Sequence, residues 1–327
     1  MSMMKICHAP EPGGPEALRF MQVERPMPTA NEVLIRVGAI GVNRLDAMQR
    51  AGVYPLPAGA NPVLGVECGG EVVETGGDVP NHIRGKRVAA LLSGGGYAEY
   101  AVAHWRHVVV VPSDWDDVQA AAVIETFCTA HETLFELSHL KAGERVLIHA
   151  GGSAVGSTAI RMAQHAKAEI ITTVGREDKA RRLRDWGVTN VLNYREVDFA
   201  EATREIYPDG IDVIEDFVGP AYLARHIALL RGRGRMTFVG LLSDGKAGAD
   251  VPAILTKMLQ LRGFTLRPHS ADEKAEVVER FRQCWLPVLE SGAIAPTIHA
   301  VLPFSDAMEA HRMLEAADNF GKLILSM

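Results

Sequence analysis

Hydrophobic and polar positions change rhythm once along this chain, near residue 120. Before that point short β-branched or apolar runs dominate: Glu32–Ile40 (EVLIRVGAI), Gly70–Glu74, Arg87–Leu92 and His107–Val111. Gly- and Pro-rich turns separate them, at Pro12–Pro15, Pro55–Pro62 and Gly94–Gly96, and Pro112 stops the last run. From about Gln119 helical and extended patterns alternate. Helices are predicted over Ala120–Leu137, Ser153–Lys167 and Lys179–Trp186. Strands are predicted over Arg145–Ala150 (RVLIHA), Glu169–Val174 (EIITTV), Val188–Asn193, Ile211–Phe217 and Arg235–Gly240 (RMTFVG). Such alternation implies parallel strands joined by right-handed crossovers, hence an α/β doubly wound sheet. After Phe264 come a long amphipathic helix, Asp272–Leu289, and a final strand, Lys322–Ser326. The expected organisation is a parallel-sheet domain at 120–262 inserted in a β-rich domain built from 1–119 and 263–327. The insert, at roughly 140 residues, has the size of an ordinary domain.

Composition narrows the function classes. Hydrophobic residues make up 47% and charged residues 23% of 327 residues, the balance of a chain that buries a core. A net charge of −6 leaves no basic stripe for nucleic acid, and Lys179–Arg184 reads as one helix face. The four cysteines, Cys7, Cys68, Cys128 and Cys284, form no C-x-x-C pair and suggest no disulfide framework. The first residues carry no apolar signal-peptide core, and no run approaches the roughly 18–20 apolar residues of a membrane helix. A cytoplasmic protein with no membrane partner is expected.

The segment His149–Gly156 (HAGGSAVG) joins a buried strand to a helix. In that setting a turn of small residues brings backbone N–H groups and a helix N-terminus onto a pyrophosphate, because a Cβ would hold the phosphate away. Gly151-x-Ser153-x-x-Gly156 has serine in the middle position, so the motif alone is weak; its strand–turn–helix–strand context carries the inference of a dinucleotide. A tight turn serving only helix packing is the competing reading. The second strand ends Thr172-Thr173-Val174-Gly175-Arg176, with Lys179 one turn on. No acid stands at the strand tip to grip a ribose 2′-hydroxyl, whereas Arg176 and Lys179 suit a 2′-phosphate. NADPH is therefore expected over NADH. Glu177 and Asp178 argue the other way, although acids are common in a helix's first turn. A solvated helix start is the alternative for the two cations.

Several segments together resemble a known family. They are Gly13-Gly14-Pro15-Glu16, Gly41–Arg50 (GVNRLDAMQR) leading into Gly52-Val53-Tyr54, Gly65-Val66-Glu67, Leu147–Gly156 and Asn193-Tyr194. Collinear over essentially the whole chain, they resemble the quinone oxidoreductase branch of the medium-chain dehydrogenase/reductase superfamily, with NRLDAMQRAGVY particularly similar to the tumour-suppressor-inducible type. The resemblance implies a Rossmann domain inserted in a GroES-like substrate domain, with NADPH in the cleft between them. It implies that Asn43 and Tyr54 face nicotinamide and substrate. Thr129 and the turn Gly152, Ser153, Ala154, Val155 and Gly156 would meet the cofactor phosphates. Gly175, Arg176, Lys179 and Tyr194 would hold the 2′-phosphate and adenine end. Val218, Gly219, Phe238, Val239, Gly240, Leu241, Phe264 and Leu266 would line the nicotinamide side. Asn319 and Lys322 would close over the cofactor. Two positions depart from the pattern: Ala154 stands where relatives often have Gly, and Arg176 where many have Ser. The resemblance also implies a homodimer through the edge formed by Gly240–Arg262.

Zinc members of the superfamily use a Cys, a Gly-His-Glu histidine and a third ligand. Here those positions read Asn43, Val66 and Glu125, with Cys128 displaced by three, so an open three-ligand zinc site fails. His104 and His107 are expected on a strand, pointing to opposite faces. Without a Lewis acid an ordinary ketone is a poor substrate, whereas a quinone accepts hydride to give a stabilised anion. The expected activity is metal-free reduction of quinones or similar conjugated carbonyl acceptors. Tyr54 or Asn43 would donate a hydrogen bond to the developing oxyanion, and Asp46 would orient its neighbours. For Tyr54 the competing role is a packed turn aromatic, and for Asn43 a local structural bond. Met48, Met258, Phe264 and Leu266 suit either an acceptor wall or ordinary core, and Cys128 reads as packing. Two other functions share these features: an enoyl or alkenal double-bond reductase, and a non-catalytic, crystallin-like NADPH-binding protein.

Overall fold

The computed structural model describes residues 2–57, 59–243 and 245–327. The chain divides into two units, Met1–Cys128 with Leu266–Met327, and Thr129–Thr265. The sequence put the changeovers at 119/120 and 262/263; the structure puts them at 128/129 and 265/266. The first moves because the short helix after residue 116 packs on the strands of the first unit.

The first unit opens with β1 (Met3–His8) paired antiparallel to β2 (Arg19–Glu24). β3 (Glu32–Val42) is the spine, and its Val33, Ile35, Val37 and Ile40 enter the core. It pairs antiparallel with β4 (Glu67–Thr75), which passes to β5 (Arg87–Leu91); β6 (Tyr100–His104) also pairs with β3, and β7 (Val108–Val110) with β5. α1 (Arg44–Arg50) follows β3. α2 (Asp117–Ala121) starts at an Asp116–Gln119 capping box, and α3 (Ile124–His131) follows. The single helix expected at 120–137 is thus divided, and residues 132–137 widen into a π-helical turn. The Thr133 hydroxyl bonds back to the Thr129 carbonyl there (2.9 Å), a contact that competes with the helical ladder.

The second unit is a six-stranded parallel sheet. Its strands are β8 (Arg145–Ile148), β9 (Glu169–Val174), β10 (Asn190–Asn193), β11 (Ile211–Asp216), β12 (Leu230–Phe238) and β13 (Gln260–Gly263), in the order β10-β9-β8-β11-β12-β13. The helices between them are α4 (Ala154–His165), α5 (Glu177–Asp185), α6 (Phe199–Ile206), α7 (Leu223–Leu229) and α8 (Val251–Lys257). Chain order reverses between β8 and β11, the switch point where doubly wound sheets bind ligands at the carboxyl ends of their strands. Leu147, Ile171, Ile214 and Met236 share the core beneath that edge.

The chain returns to the first unit through α9 (Ala271–Cys284) and α10 (Leu286–Glu290). The helix expected over Asp272–Leu289 breaks at Trp285, where Pro287 in the next first turn cannot continue the ladder. β14 (Ile298–Pro303), α11 (Ala307–Glu315) and β15 (Lys322–Ser326) complete the sheet as β14-β15-β3-β4-β5-β7. Arg50 ties α1 to α11 through an ion pair with Glu315 and a contact to His311 Nδ1 (3.3 Å). The opposite ring nitrogen of His311 lies 2.9 Å from the Tyr97 hydroxyl, and burial with the Arg50 charge lowers the ring to about 3. The ring is neutral, so Nδ1 accepts from Arg50 and Nε2–H donates to Tyr97.

One buried acid gives the second unit a pH signature. Glu215 on β11 accepts from the Thr133 hydroxyl (2.7 Å), and its other oxygen has no partner. Burial pushes this carboxyl up to about 8, with the Thr133 bond opposing. The folded chain therefore keeps a proton that the unfolded chain releases near pH ~4.3. The stability due to that proton is full below the unfolded value and is lost as pH rises through about 8. Glu215→Gln, neutral at every pH, is expected to remove this slope. Melting curves from roughly pH 5 to pH 9 check it: the wild type loses several degrees more than the variant at the alkaline end.

Candidate active site

Two groups of the sequence-predicted residues assemble, one within each unit. In the second unit, β8 runs into a turn where Ala150 takes a left-handed conformation (φ 51°) and accepts from Ser153 N–H (2.8 Å). Ser153 caps α4, its hydroxyl accepting from Gly156 N–H (3.0 Å). Two of the helix's opening N–H groups are thus used, and those of Ala154 and Val155 remain as donors for an anion. Thr129, on α3, is buried.

At the next strand tip, the Tyr194 ring lies so close to Gly175 that a Cβ there would meet its hydroxyl oxygen at 2.4 Å. Arg176 caps α5 and makes a two-pronged pair with Asp178 (2.9 and 3.1 Å), which holds that exposed carboxyl below the usual range. Glu177 pairs with Arg184 (2.6 Å). Both acids that argued against a 2′-phosphate are therefore matched to arginines. Lys179 is buried in the first turn of α5.

Beyond β11 and β12, two loops lace together. Ser243 N–H and its hydroxyl both donate to Val218 carbonyl (2.9 and 2.7 Å), and Leu242 N–H donates to Phe217 carbonyl (3.1 Å). Asp216, missed in the sequence reading, organises both. Its side chain accepts from Val218 N–H (2.7 Å) and Gly219 N–H (3.0 Å), and its carbonyl from Val239 N–H (2.8 Å). Val218, Gly219, Phe238, Val239, Gly240 and Leu241 are thus brought together. Phe264 follows β13, its N–H donating to Phe238 carbonyl (2.9 Å). The signal for Asp216 in the sequence was weak, since it is one of three acids in the strand Ile211–Asp216 (IDVIED).

In the first unit, Asn43, Glu67, Glu125 and Lys322 converge. Glu67 is fully buried; one oxygen accepts from Asn43 Nδ2 (2.8 Å) and from the Lys322 ammonium, the other from Glu125 N–H (3.0 Å). Lys322, itself 1% exposed, donates to Asn43 Oδ1 (2.6 Å) and lies 3.7 Å from Glu125 Oε2. Asn43 Nδ2 also approaches Gly41 carbonyl (3.2 Å). Both amide hydrogens of Asn43 are committed inside the unit, so its geometry matches the structural role rather than that of an oxyanion donor. Asp46 accepts from Asn43 N–H (2.8 Å) and Gly65 N–H (3.0 Å); burial lifts it to about 6, against those two bonds. It orients the turn, as expected. Asn319 bonds Gly321 carbonyl (2.7 Å).

Tyr54 is half-buried, and its ring faces the guanidinium of Arg267 (5.8 Å from Cζ to the ring centre). Arg267 was not anticipated. It is buried beside Leu266 and held by Gln49 Oε1 (2.6 Å) and Ser93 carbonyl (3.2 Å from Nη2). Met48 is half-buried on α1 of the first unit, and Met258 is exposed on the second unit. Cys128 is buried. One expectation is corrected: residues 105–107 form a 3₁₀ turn, not strand, and this places the His104 and His107 rings on one side, 5.1 Å apart. His107 Nε2 is used by Ala271 carbonyl (2.7 Å).

Residues 29–113 match the alcohol dehydrogenase GroES-like domain and residues 154–283 the zinc-binding dehydrogenase family. The chain is 32% identical to a 2-haloacrylate reductase of Burkholderia sp over 99% of both chains, and 30% identical to the quinone oxidoreductase of Lama guanicoe over 99% of this chain and 97% of that one. A mycobacterial protein solved in complex with NADPH superposes with a TM-score of 0.88 at 30% identity over the full length of both. The chain belongs to the medium-chain dehydrogenase/reductase superfamily. It is an oxidoreductase of the nicotinamide-dinucleotide type, with quinone oxidoreductases among its relatives.

The family name implies zinc, and these residues do not fit it. Asn43 and the buried, apolar Val66 stand at two ligand positions. The acids that remain already enclose a cation, the Lys322 ammonium. Among the described residues, no three or more His, Cys, Asp and Glu side chains are placed to hold a metal. A dinucleotide does fit: the Ala154 and Val155 N–H groups suit a pyrophosphate, and the Gly175–Tyr194 ledge with its paired acids suits the adenosine end.

Proposed function

We propose that this protein is an NADPH-dependent reductase of quinones or similar conjugated carbonyl acceptors that works without a metal ion. The observation that carries this reading is the buried ammonium of Lys322, which neutralises Glu67 and Glu125 where a zinc enzyme would place its ion. NADPH, when bound, supplies the hydride. In this reading Ala154 and Val155 hold its pyrophosphate, and Arg176 and Lys179 its 2′-phosphate. Val218, Gly219 and the Phe238–Leu241 loop hold its nicotinamide. Tyr54 donates a hydrogen bond to the acceptor oxygen as charge develops, and the Arg267 cation beside its ring strengthens that donation. Asn43 and Asp46 keep the Gly41–Arg50 turn in place.

Cofactor choice tests the phosphate half of this reading. The double variant Arg176→Ala/Lys179→Ala is expected to lose about tenfold or more in kcat/KM with NADPH and little with NADH, the size of one or two charge-assisted bonds. Equal losses with both would reject the assignment.

A second reading, reduction of a C=C bond conjugated to a carboxylate, has the 2-haloacrylate reductase relative in its favour. Parallel assays with a quinone and an acrylate separate the two. A homodimer is proposed through the second unit. β13 is the sheet's outer strand, and Leu241, Leu242, Val251, Leu255 and Met258 expose apolar side chains along the same segment. Light scattering should give twice the 35.5 kDa chain mass, and Leu255→Asp should give the monomer. No helix among the described residues is long and apolar enough to cross a membrane.

A further inference from the structure

The second unit contains a buried run of side chains, joined by two hydrogen bonds and one ion-pair contact, in which neither histidine has a role above. Thr173 Oγ1 on β9 lies 2.8 Å from His149 Nδ1 at the end of β8. His149 Nε2 lies 2.8 Å from His226 Nε2 on α7. His226 Nδ1 lies 3.5 Å from Asp216 Oδ2 at the end of β11 and has no closer partner. Asp216 in turn takes the N–H groups of Val218 and Gly219. Four elements distant in sequence thus end on one loop. Phe199 and Tyr222 wall the chain in, their ring centres 4.9 and 5.2 Å from that of His149. Both imidazoles are fully buried.

Proton placement follows from the partners. A bare His226 Nδ1 would set its lone pair against the Asp216 carboxylate, so Nδ1 carries a proton. Burial and the neighbouring His226 hold the His149 ring well below the usual histidine range, so His149 is neutral. One proton lies between the two Nε2 atoms and another between His149 Nδ1 and the Thr173 hydroxyl, and the run links Thr173 through both rings to Asp216. The loop it reaches is demanding. Gly219 has φ 87°, a left-handed value that favours glycine, and a Cβ there would meet Leu241 Cδ2 at 2.7 Å. An Asp216 carboxylate free to rotate would release both N–H groups and the turn with them.

We propose that His149 and His226 are positioning residues: through Asp216 they fix the Val218–Gly219 turn, and so set the site for the nicotinamide half of the cofactor but not its adenosine half. The proposal rests on the reading above that this turn meets the nicotinamide. His226→Phe, which keeps an aromatic ring but cuts the chain, separates the two halves. Titration of the full-length protein with NADPH should show a dissociation constant raised about tenfold, the size of one buried hydrogen bond lost. Adenosine 2′,5′-bisphosphate, which lacks the nicotinamide, should bind as it does to the wild type. Equal weakening of both ligands, or no change in either, would overturn the proposal. A wild type that binds the bisphosphate but gains nothing from the nicotinamide half would instead overturn the underlying reading of the turn. Should the variant fail to fold, ¹⁵N spectra of histidine-labelled wild type decide. A protonated His226 Nδ1 with a neutral His149 is expected, and a bare Nδ1 at His226 would overturn the chain.

Discussion

Lys322→Met is expected to destabilise the protein by about 3–5 kcal/mol, because it leaves the fully buried Glu67 without its counter-ion. The loss is larger than the removal of one contact suggests. Glu67 would keep the Asn43 amide and the Glu125 N–H as donors, yet its charge would face no cation and a second carboxylate, Glu125, close by. A buried pair need not be strongly stabilising as a whole, but breaking it from one side is costly. The same logic predicts a rescue: in Lys322→Met/Glu67→Gln the uncompensated charge is gone, and much of the lost stability should return. Denaturant unfolding of the wild type, both single variants and the double variant measures the coupling directly. If Lys322→Met alone were neutral, the ammonium would not be the cation that balances this cluster.

The second large effect concerns turnover. Tyr54→Phe removes one hydroxyl and leaves a ring that still packs against Arg267. If the phenol stabilises the developing oxyanion, kcat for a quinone should fall on the order of 10²-fold with KM nearly unchanged, as for other donors that act in the transition state. A raised KM at constant kcat would make Tyr54 a wall of the acceptor pocket, the packing role weighed for it from sequence. Arg267→Met should give a smaller loss of the same kind, since it acts through the Tyr54 ring. Steady-state kinetics of the two variants and their combination distinguish a shared path from two separate ones.

The broad architecture was legible because α/β alternation writes itself into local hydrophobic rhythm. Glu169–Val174 and Lys322–Ser326 appear in the structure as expected. β1 and β2 escaped notice because β2 is exposed along nearly its whole length and so has no alternation to read. β13 and β14, similarly half-exposed, carry the same weak signal. The His104–His107 reading failed because a three-residue 3₁₀ turn changes which side chains share a face. At the candidate site, the sequence offers the local motifs themselves: the Ser153–Gly156 turn, the Gly175–Arg176 tip and the Asn43–Asp46 turn. The side chains that meet them across the fold it does not offer. Asn43 and Lys322 are 279 positions apart and His149 and His226 are 77 apart, and nothing in a single sequence records that their side chains touch. For Asn43 the sequence leaves an oxyanion donor and a structural bond both open; the pairing with Glu67 and Lys322 matches the second, through partners that a single sequence does not reveal.

The most direct measurement is turnover of the purified full-length protein with NADPH and a quinone after exhaustive chelation, with metal content determined on the same sample. Undiminished turnover with far less than one zinc per chain is the predicted result. Activity that disappears on chelation and returns with stoichiometric zinc would contradict it, for then Lys322 could not be occupying the place of the ion.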